Sequence, residues 1–85
     1  MTITLTGTVT MSQYWPVFTP DAGQDVAAAM PLMMTNFPQN GSTQDHINAA
    51  IAAFTDKLGR YTLTGTVRPL VPTQIFSVDK AVRLP

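Results

Sequence analysis

One hexapeptide occurs twice in this chain of 85 residues, and it constrains the fold more than any other feature. Thr-Leu-Thr-Gly-Thr-Val occupies residues 4–9 and again residues 62–67. Threonine alternates with apolar residues or glycine at a period of two, which is typical of a half-buried β-strand. We therefore predict a strand at each copy, with the leucine and valine inward. Glycine weakens a strand unless another element approaches closely, so we expect both strands to cross under one helix at Gly7 and Gly65.

The outward positions of the two copies carry threonine. If the copies pair in register, these side chains form a flat array of hydroxyl and methyl groups on two strands. Such an array is either a solvated face or a face that packs against another subunit through hydroxyl pairs. The flanks of the two copies differ, so duplication and convergence both remain open as origins of the repeat. The predicted array consists of Thr4, Thr6, Thr8, Thr62, Thr64 and Thr66.

Two helices are expected between the repeats. Asp21 and Gln24 have the spacing of a capping box, and apolar residues follow at near-helical spacing as far as Phe37, with a kink or break at Pro31. Residues 37–41 have the composition of a turn. A second capping box at Ser42 precedes a clear amphipathic pattern, which ends at Gly59. The apolar positions of this second helix are Ile47, Ala50, Ile51, Phe54 and Leu58.

A third strand is predicted over residues 74–84, after a proline-rich connection. Its alternation places one set of residues on a single face: Phe76, Val78, Lys80, Val82 and Leu84. The predicted fold class is α+β, a three-stranded sheet with two helices packed on one face in the order β-α-α-β-β, and with the last two strands antiparallel. The open edges of such a sheet are available to another chain. At this length we expect a single small domain over residues 1–85.

Residues 11–20 are predicted to form an irregular arm, because they combine aromatic residues with Pro16 and Pro20. Its aromatic residues are Tyr14, Trp15 and Phe18. They either fill the core of a small domain or anchor the chain to a neighbouring subunit, where tryptophan and tyrosine often dominate the binding energy.

Side chains suited to catalysis are scarce. The chain has no cysteine and one histidine, His46, and its five aspartates show no ligand spacing. The glycines are isolated, so no phosphate-binding loop is recognisable. We therefore predict no enzyme activity, no catalytic residues, no cofactor, no metal site and no small-molecule substrate.

The few charged residues are unevenly distributed along the chain. They make up 12% of it, against about a quarter in an average domain. Residues 1–56 sum to −4 and residues 57–85 to +4. Folding either mixes these charges or leaves acidic and basic faces that dock copy to copy. The scattered basic residues predict no nucleic-acid binding, since phosphate neutralisation requires a basic cluster.

No membrane segment or signal peptide is expected. The longest nearly apolar stretch, residues 26–34, is far shorter than the roughly 20 residues of a membrane-spanning helix. The first residues lack the positive region of a signal peptide. We therefore expect a protein made in the cytoplasm that ends either there or in a particle released by lysis.

These observations favour a non-enzymatic structural subunit of a large assembly, such as a small bacteriophage virion protein of the decoration, neck or tail type. Its partners would be copies of itself or other virion subunits. The alternative is a small soluble binding module or regulator of one protein partner. The expected contact residues are Tyr14, Trp15, Phe18, Phe76, Val78 and the six threonines of the array.

Overall fold

The two copies of the hexapeptide lie on neighbouring strands of a small barrel. The structure, a computed structural model, describes residues 2–26, 28–35, 42–70 and 73–85. The elements in chain order are β1 (Ile3–Met11), β2 (Pro16–Pro20), β3 (Met30–Met34), α1 (Thr43–Phe54), β4 (Gly59–Leu70) and β5 (Thr73–Arg83).

The five strands close on themselves in the order β1-β2-β3-β5-β4, with β4 beside β1. All neighbours are antiparallel except β3 and β5, which run parallel. This connectivity, with the helix between β3 and β4, is that of the OB fold, a five-stranded Greek-key barrel. The predicted three-stranded sheet with two helices on one face is therefore wrong. The predictions of a strand at each repeat and of an antiparallel final pair are confirmed.

The first predicted helix is replaced by a turn and β3. Proline restricts the residue before it to extended conformations, so Pro31 favours a strand at Met30. Met30 and Leu32 are buried while Pro31 and Met33 are only half-buried, which is the two-residue period of a strand. The predicted end of this helix at Phe37 and the turn over 37–41 lie outside the described residues.

The predicted irregular arm is also partly a strand, because Pro16–Pro20 forms β2. Its burial alternates, with Phe18 inside the barrel and Thr19 outside. Only the four residues between β1 and β2, 12–15, form a loop. Both prolines of the segment lie at the ends of β2, where a missing backbone N–H is tolerated.

The second predicted helix is confirmed as α1. Ser42 is its N-cap, and the Ser42 hydroxyl and the Asp45 carboxylate form the reciprocal hydrogen bonds of a capping box. The helix ends at Phe54, before the predicted stop at Gly59, which instead begins β4. Its packing is chiefly against β3, and Phe54 meets Tyr61 edge-on with ring centroids 5.3 Å apart.

A β-bulge in β5 separates residues that were predicted to share a face. Thr64 pairs with Lys80, but the next residue, Gly65, pairs with Val78. Asp79 is therefore the extra residue, and the alternation reverses across it. Phe76 and Val78 point into the core, whereas Lys80 and Val82 are exposed.

The barrel core is continuous and almost wholly apolar. It combines inward residues from every strand with two residues of α1. Its members are Leu5, Val9, Phe18, Met30, Leu32, Ala50, Phe54, Tyr61, Leu63, Phe76 and Val78.

The repeated glycines lie where strands approach each other closely, not under a helix as the sequence suggested. A Cβ on Gly7 would lie 2.8 Å from the Cα of Pro20, and one on Gly65 would lie 2.9 Å from the carbonyl carbon of Ser77. Both obstacles are backbone atoms of a neighbouring strand, which cannot rotate away. Glycine at these two positions therefore permits the tight bends of a small barrel.

We predict that Gly65→Ala lowers the free energy of unfolding by at least about 2 kcal/mol, because the added methyl group overpacks against the backbone of β5. The measurement is chemical denaturation followed by circular dichroism. Gly23→Asn is the matched control: Gly23 has a φ of +87° and nothing within 4 Å of its added Cβ. Since asparagine tolerates this conformation, the control should stay within about 1 kcal/mol of the parent. Equal stabilities for both variants would contradict the proposed close approach.

Candidate interaction surface

The predicted threonine array exists on the outside of β1 and β4. The Oγ1 atoms of Thr4 and Thr64 are 3.0 Å apart, and those of Thr6 and Thr62 are 3.2 Å apart. Each pair is directly opposite in the antiparallel register. Thr66 lies beyond the paired segment, which ends at Ile3 and Gly65, and it faces Ser77 on β5 instead. We call the outer surface of β1 and β4 the threonine face; it consists of Thr4, Thr6, Thr8, Thr62, Thr64 and Thr66.

The rows of this face continue onto β5. Lys80 pairs with Thr64, and Val82 pairs with Thr62. One row therefore reads Thr4, Thr64, Lys80 and the next reads Thr6, Thr62, Val82. Val82 is 46% exposed, which is large for a branched apolar side chain in a strand. The sequence pattern does not indicate these β5 positions, because the bulge reverses the alternation.

An ion pair borders the threonine face. Both Nη atoms of Arg60 donate to the carboxylate of Asp21 at 2.6 Å, and Nη1 is also 3.3 Å from the Thr8 hydroxyl. The hydrogen bonds from Arg60 hold the pKa of the Asp21 carboxyl below its ordinary value, and the same pairing raises the pKa of Arg60. This pair joins the acidic and basic segments of the sequence, so folding mixes the charges at this point. Arg60 was predictable, since continuing the pairing of the repeats by one step places it opposite Thr8.

Where β2 ends, a side chain supplies hydrogen-bond partners for the backbone of β1. The side-chain amide of Gln24 accepts from Thr6 N at 2.8 Å and donates to Thr6 O at 2.7 Å. It also donates to the carbonyl of Asp21 at 3.0 Å. Gln24 thus takes the place of a strand residue, which is a different use of the Asp21–Gln24 spacing from the predicted helix cap. Side chains that mimic a strand in this way have no signal in the sequence.

A second candidate surface is the tip of the hairpin between β1 and β2. Tyr14 is 66% exposed, and its ring centroid is 5.7 Å from that of Trp15. The Ser12 hydroxyl donates to the carbonyl of Trp15 at 2.6 Å and accepts from Trp15 N at 3.2 Å. The tip is therefore ordered by hydrogen bonds of its own, so its aromatic side chains are presented in a defined position. We call Met11, Tyr14 and Trp15 the aromatic tip.

Three residues that were predicted to form contacts are core residues instead. Phe18 and Phe76 are fully buried and stack with ring centroids 6.1 Å apart at an interplanar angle of 17°. Val78 is 1% exposed. These side chains support the barrel, so we leave them out of the candidate surfaces. The remaining predicted contact residues stay predictions.

The outer faces of β2 and β3 are apolar except for Thr19. Val17 and Pro31 pair there, with Met33 next to them along β3. OB-fold proteins often bind oligonucleotides or oligosaccharides on this side of the barrel. No basic side chain lies on either strand, and such residues supply most of the affinity for a nucleic-acid backbone. The fold alone therefore does not assign that function.

The histidine and the aspartate beside it both have structural partners. The Nδ1 of His46 is 2.6 Å from the carbonyl oxygen of Met34, so Nδ1 carries the proton and donates it. Hydrogen bonds from the Ser42 backbone and hydroxyl lower the pKa of the Asp45 carboxyl. Among the described residues, no pocket opens and no three metal-ligating side chains come together. In the same part of the chain, no helix has the length and apolar character needed to cross a bilayer.

Comparisons of the chain with protein-family models, with curated proteins and with solved structures found no match. The candidate surfaces are therefore argued from their geometry.

We predict that the contribution of the Arg60–Asp21 pair depends on pH. A carboxyl whose pKa is lowered by folding stabilises the folded state above its unfolded pKa of about 3.9. That contribution is lost as pH falls through the lowered value. Asp21→Asn should therefore melt below the parent near neutral pH, and the two melting temperatures should converge as the pH falls towards about 2.

The control for this prediction is Asp25→Asn, at an exposed position of the same turn. It should show no comparable pH-dependent difference from the parent. A gap between Asp21→Asn and the parent that stays constant across the acid range would contradict the prediction.

Proposed function

We propose that this chain is a non-enzymatic structural subunit of a large assembly, and that it acts through the threonine face. The observation that carries this proposal is the alignment of hydroxyl pairs across β1 and β4, in rows that Lys80 and Val82 continue on β5. In the single chain the Thr6–Thr62 pair is half-buried and the Thr4–Thr64 pair is exposed, and neither belongs to the core. A bacteriophage particle is the kind of assembly we propose, with the chain in a decoration, neck or tail position.

The character of the threonine face supports this proposal. Four of its six hydroxyl groups already hydrogen-bond to one another, so burying those four costs less than burying unpaired polar groups. The ion pair at its border is neutral as a unit. Rows of short β-branched side chains on a sheet also lose little rotamer freedom when they are covered. Such a surface accepts a flat protein partner more readily than a charged surface does.

We expect Thr62→Lys to remove the chain from its assembly. The substitution places a charge at the centre of the threonine face without touching the core. It also removes the Thr6–Thr62 hydrogen bond, so the free energy of unfolding should fall by no more than about 1.5 kcal/mol. The measurement is the fraction of the chain that sediments with large particles in lysates of producing cells. Thr19→Lys, on the exposed side of β2, is the matched control and should sediment with the parent. If the parent chain itself remains in the low-mass fractions, the proposal fails.

The aromatic tip favours a second candidate function, a small soluble binding module for one protein partner. The loop presents an exposed tyrosine and a half-buried tryptophan, and these two residue types often dominate protein contacts. The mostly apolar outer face of β2 follows directly after this loop.

Tyr14→Ala distinguishes the two functions. The Tyr14 side chain is mostly exposed, so the fold should be unaffected. If the chain is a binding module, Tyr14→Ala should lose a partner that the tagged parent retains on a column, while Thr62→Lys should keep it. If it is an assembly subunit acting through the threonine face, Thr62→Lys should no longer sediment with large particles, whereas Tyr14→Ala should still do so.

A further inference from the structure

Among the described residues, the second half of β5 pairs with a strand on one side only. β3 pairs with β5 over three residues and ends with Met34 opposite Val78. The last bond on that side joins Thr35 N to Val78 O at 3.0 Å. Beyond it, from Asp79 to Arg83, the described residues supply no strand on the edge of β5 that faces away from β4. All five of these residues are exposed.

The direction of the free backbone groups follows from the pairing with β4. Leu84 N donates to Arg60 O at 2.8 Å, so Leu84, Val82 and Lys80 direct their backbone groups towards β4. Since these directions alternate along a strand, the N–H and C=O groups of Ala81 and Arg83 point away from the barrel. No strand of the described residues pairs with these groups, so within that part of the chain they form an edge on which another strand can pair.

We propose that this edge pairs with the same edge of a second copy of the chain, antiparallel and with Ala81 opposite Ala81. Asp79 then lies opposite Arg83 of the second copy, and the two-fold axis repeats that pair. Lys80 lies opposite Val82 of the second copy. Oppositely charged residues directly opposite each other on antiparallel strands are stabilising.

The alternative registers are less favourable. Moving the two-fold axis to Lys80 places the two copies of Lys80 opposite each other, and moving it to Val82 separates Asp79 from Arg83. Parallel pairing in register aligns Asp79 with Asp79 and Arg83 with Arg83, and like charges opposite one another are destabilising. The positions of the charges between Asp79 and Arg83 therefore favour the antiparallel register centred on Ala81 over the other registers.

This inference rests on the proposed function and deepens it by naming the partner. The paired edges join β1, β4 and β5 of both copies in one six-stranded sheet. The rows of the threonine face then continue across the two-fold axis, with Lys80 of one copy beside Val82 of the other. The dimer presents a threonine face twice as wide as that of the single chain.

A charge exchange tests the pairing. The purified chain should dimerise in a concentration series measured by sedimentation equilibrium. Asp79→Arg places arginine opposite arginine, and Arg83→Asp places aspartate opposite aspartate, so each should abolish the dimer. The double variant Asp79→Arg/Arg83→Asp restores opposite charges in reversed order and should restore the dimer. A parent chain that stays monomeric, or single variants that still dimerise, would overturn the inference.

Cysteine substitution tests the register, and the absence of native cysteine keeps the result unambiguous. Directly opposite residues have Cα atoms about 5.5 Å apart, within the reach of a disulfide. Ala81→Cys should therefore form a disulfide-linked dimer on oxidation. Val82→Cys is the control: it is exposed, but it faces Lys80 of the second copy, so it should cross-link far less. Equal cross-linking at both positions would overturn the register. Circular dichroism of each variant separates loss of pairing from loss of folding, since Arg83 also donates to the Leu58 carbonyl at 3.0 Å.

These results are independent of the sedimentation experiment on lysates. A monomeric purified chain that still enters particles would overturn the self-pairing and leave the assembly function intact. A dimer that never enters particles would overturn the assembly function and leave the self-pairing intact.

Discussion

The pairing of β1 with β4 is the contact on which the rest of the structure depends. It closes the barrel, and it brings together two segments separated by most of the chain. Leu5 and Leu63 are directly opposite and buried, while threonines are opposite on the other side. Because side chains alternate along a strand, a slip of either strand by one residue would expose its leucine and turn its threonines inward. The repeated hexapeptide therefore specifies the register of the closing pair as well as the strands themselves.

Closure of so small a barrel creates local problems, and specific residues solve them. Gly7 and Gly65 allow neighbouring backbones to approach where the strands bend. The bulge at Asp79 allows β5 to leave the barrel core and continue alongside β4. Gln24 satisfies the backbone of Thr6 beyond the end of β2. Each device acts at a point where a strand loses a regular neighbour.

Local patterns in the sequence predict about half of this fold. The alternation of the repeats identifies β1 and β4, and the capping box at Ser42 identifies the start of α1, because both signals lie within one element. β2 is missed because its aromatic residues and the prolines at its two ends are typical of an irregular segment, and β3 is missed because its apolar residues also fit a helical period. Pro31 was the available signal, since it disfavours a helix and makes the residue before it extended. The parallel contact of β3 with β5 has no local signal, so the barrel itself could not be derived from elements alone.

The candidate site likewise contains residues that follow from local sequence patterns and residues that depend on the whole barrel. The outward threonines follow from alternation, and their hydroxyl pairing follows from antiparallel strands. Lys80 and Val82 were placed on the wrong face because a bulge adds one residue that no composition marks. Phe18, Phe76 and Val78 were assigned to a surface because the predicted sheet had too few strands to enclose them. Enclosure depends on how many strands meet, which is a property of the whole chain.

The hydrogen-bond inventory of the threonine face explains why it is suited to contact. Each hydroxyl has one donor and two acceptor sites, so a pair such as Thr6 and Thr62 uses one donor and leaves the other hydroxyl hydrogen for an outside acceptor. The methyl groups between the pairs gain from burial, and the adjacent charge of Arg60 is already matched by Asp21. Covering this face therefore removes apolar surface from water, and it leaves no polar group unpaired when the partner supplies an acceptor for each remaining hydroxyl hydrogen. A face rich in lysine or glutamate would be more soluble, but covering it would require desolvating each charge.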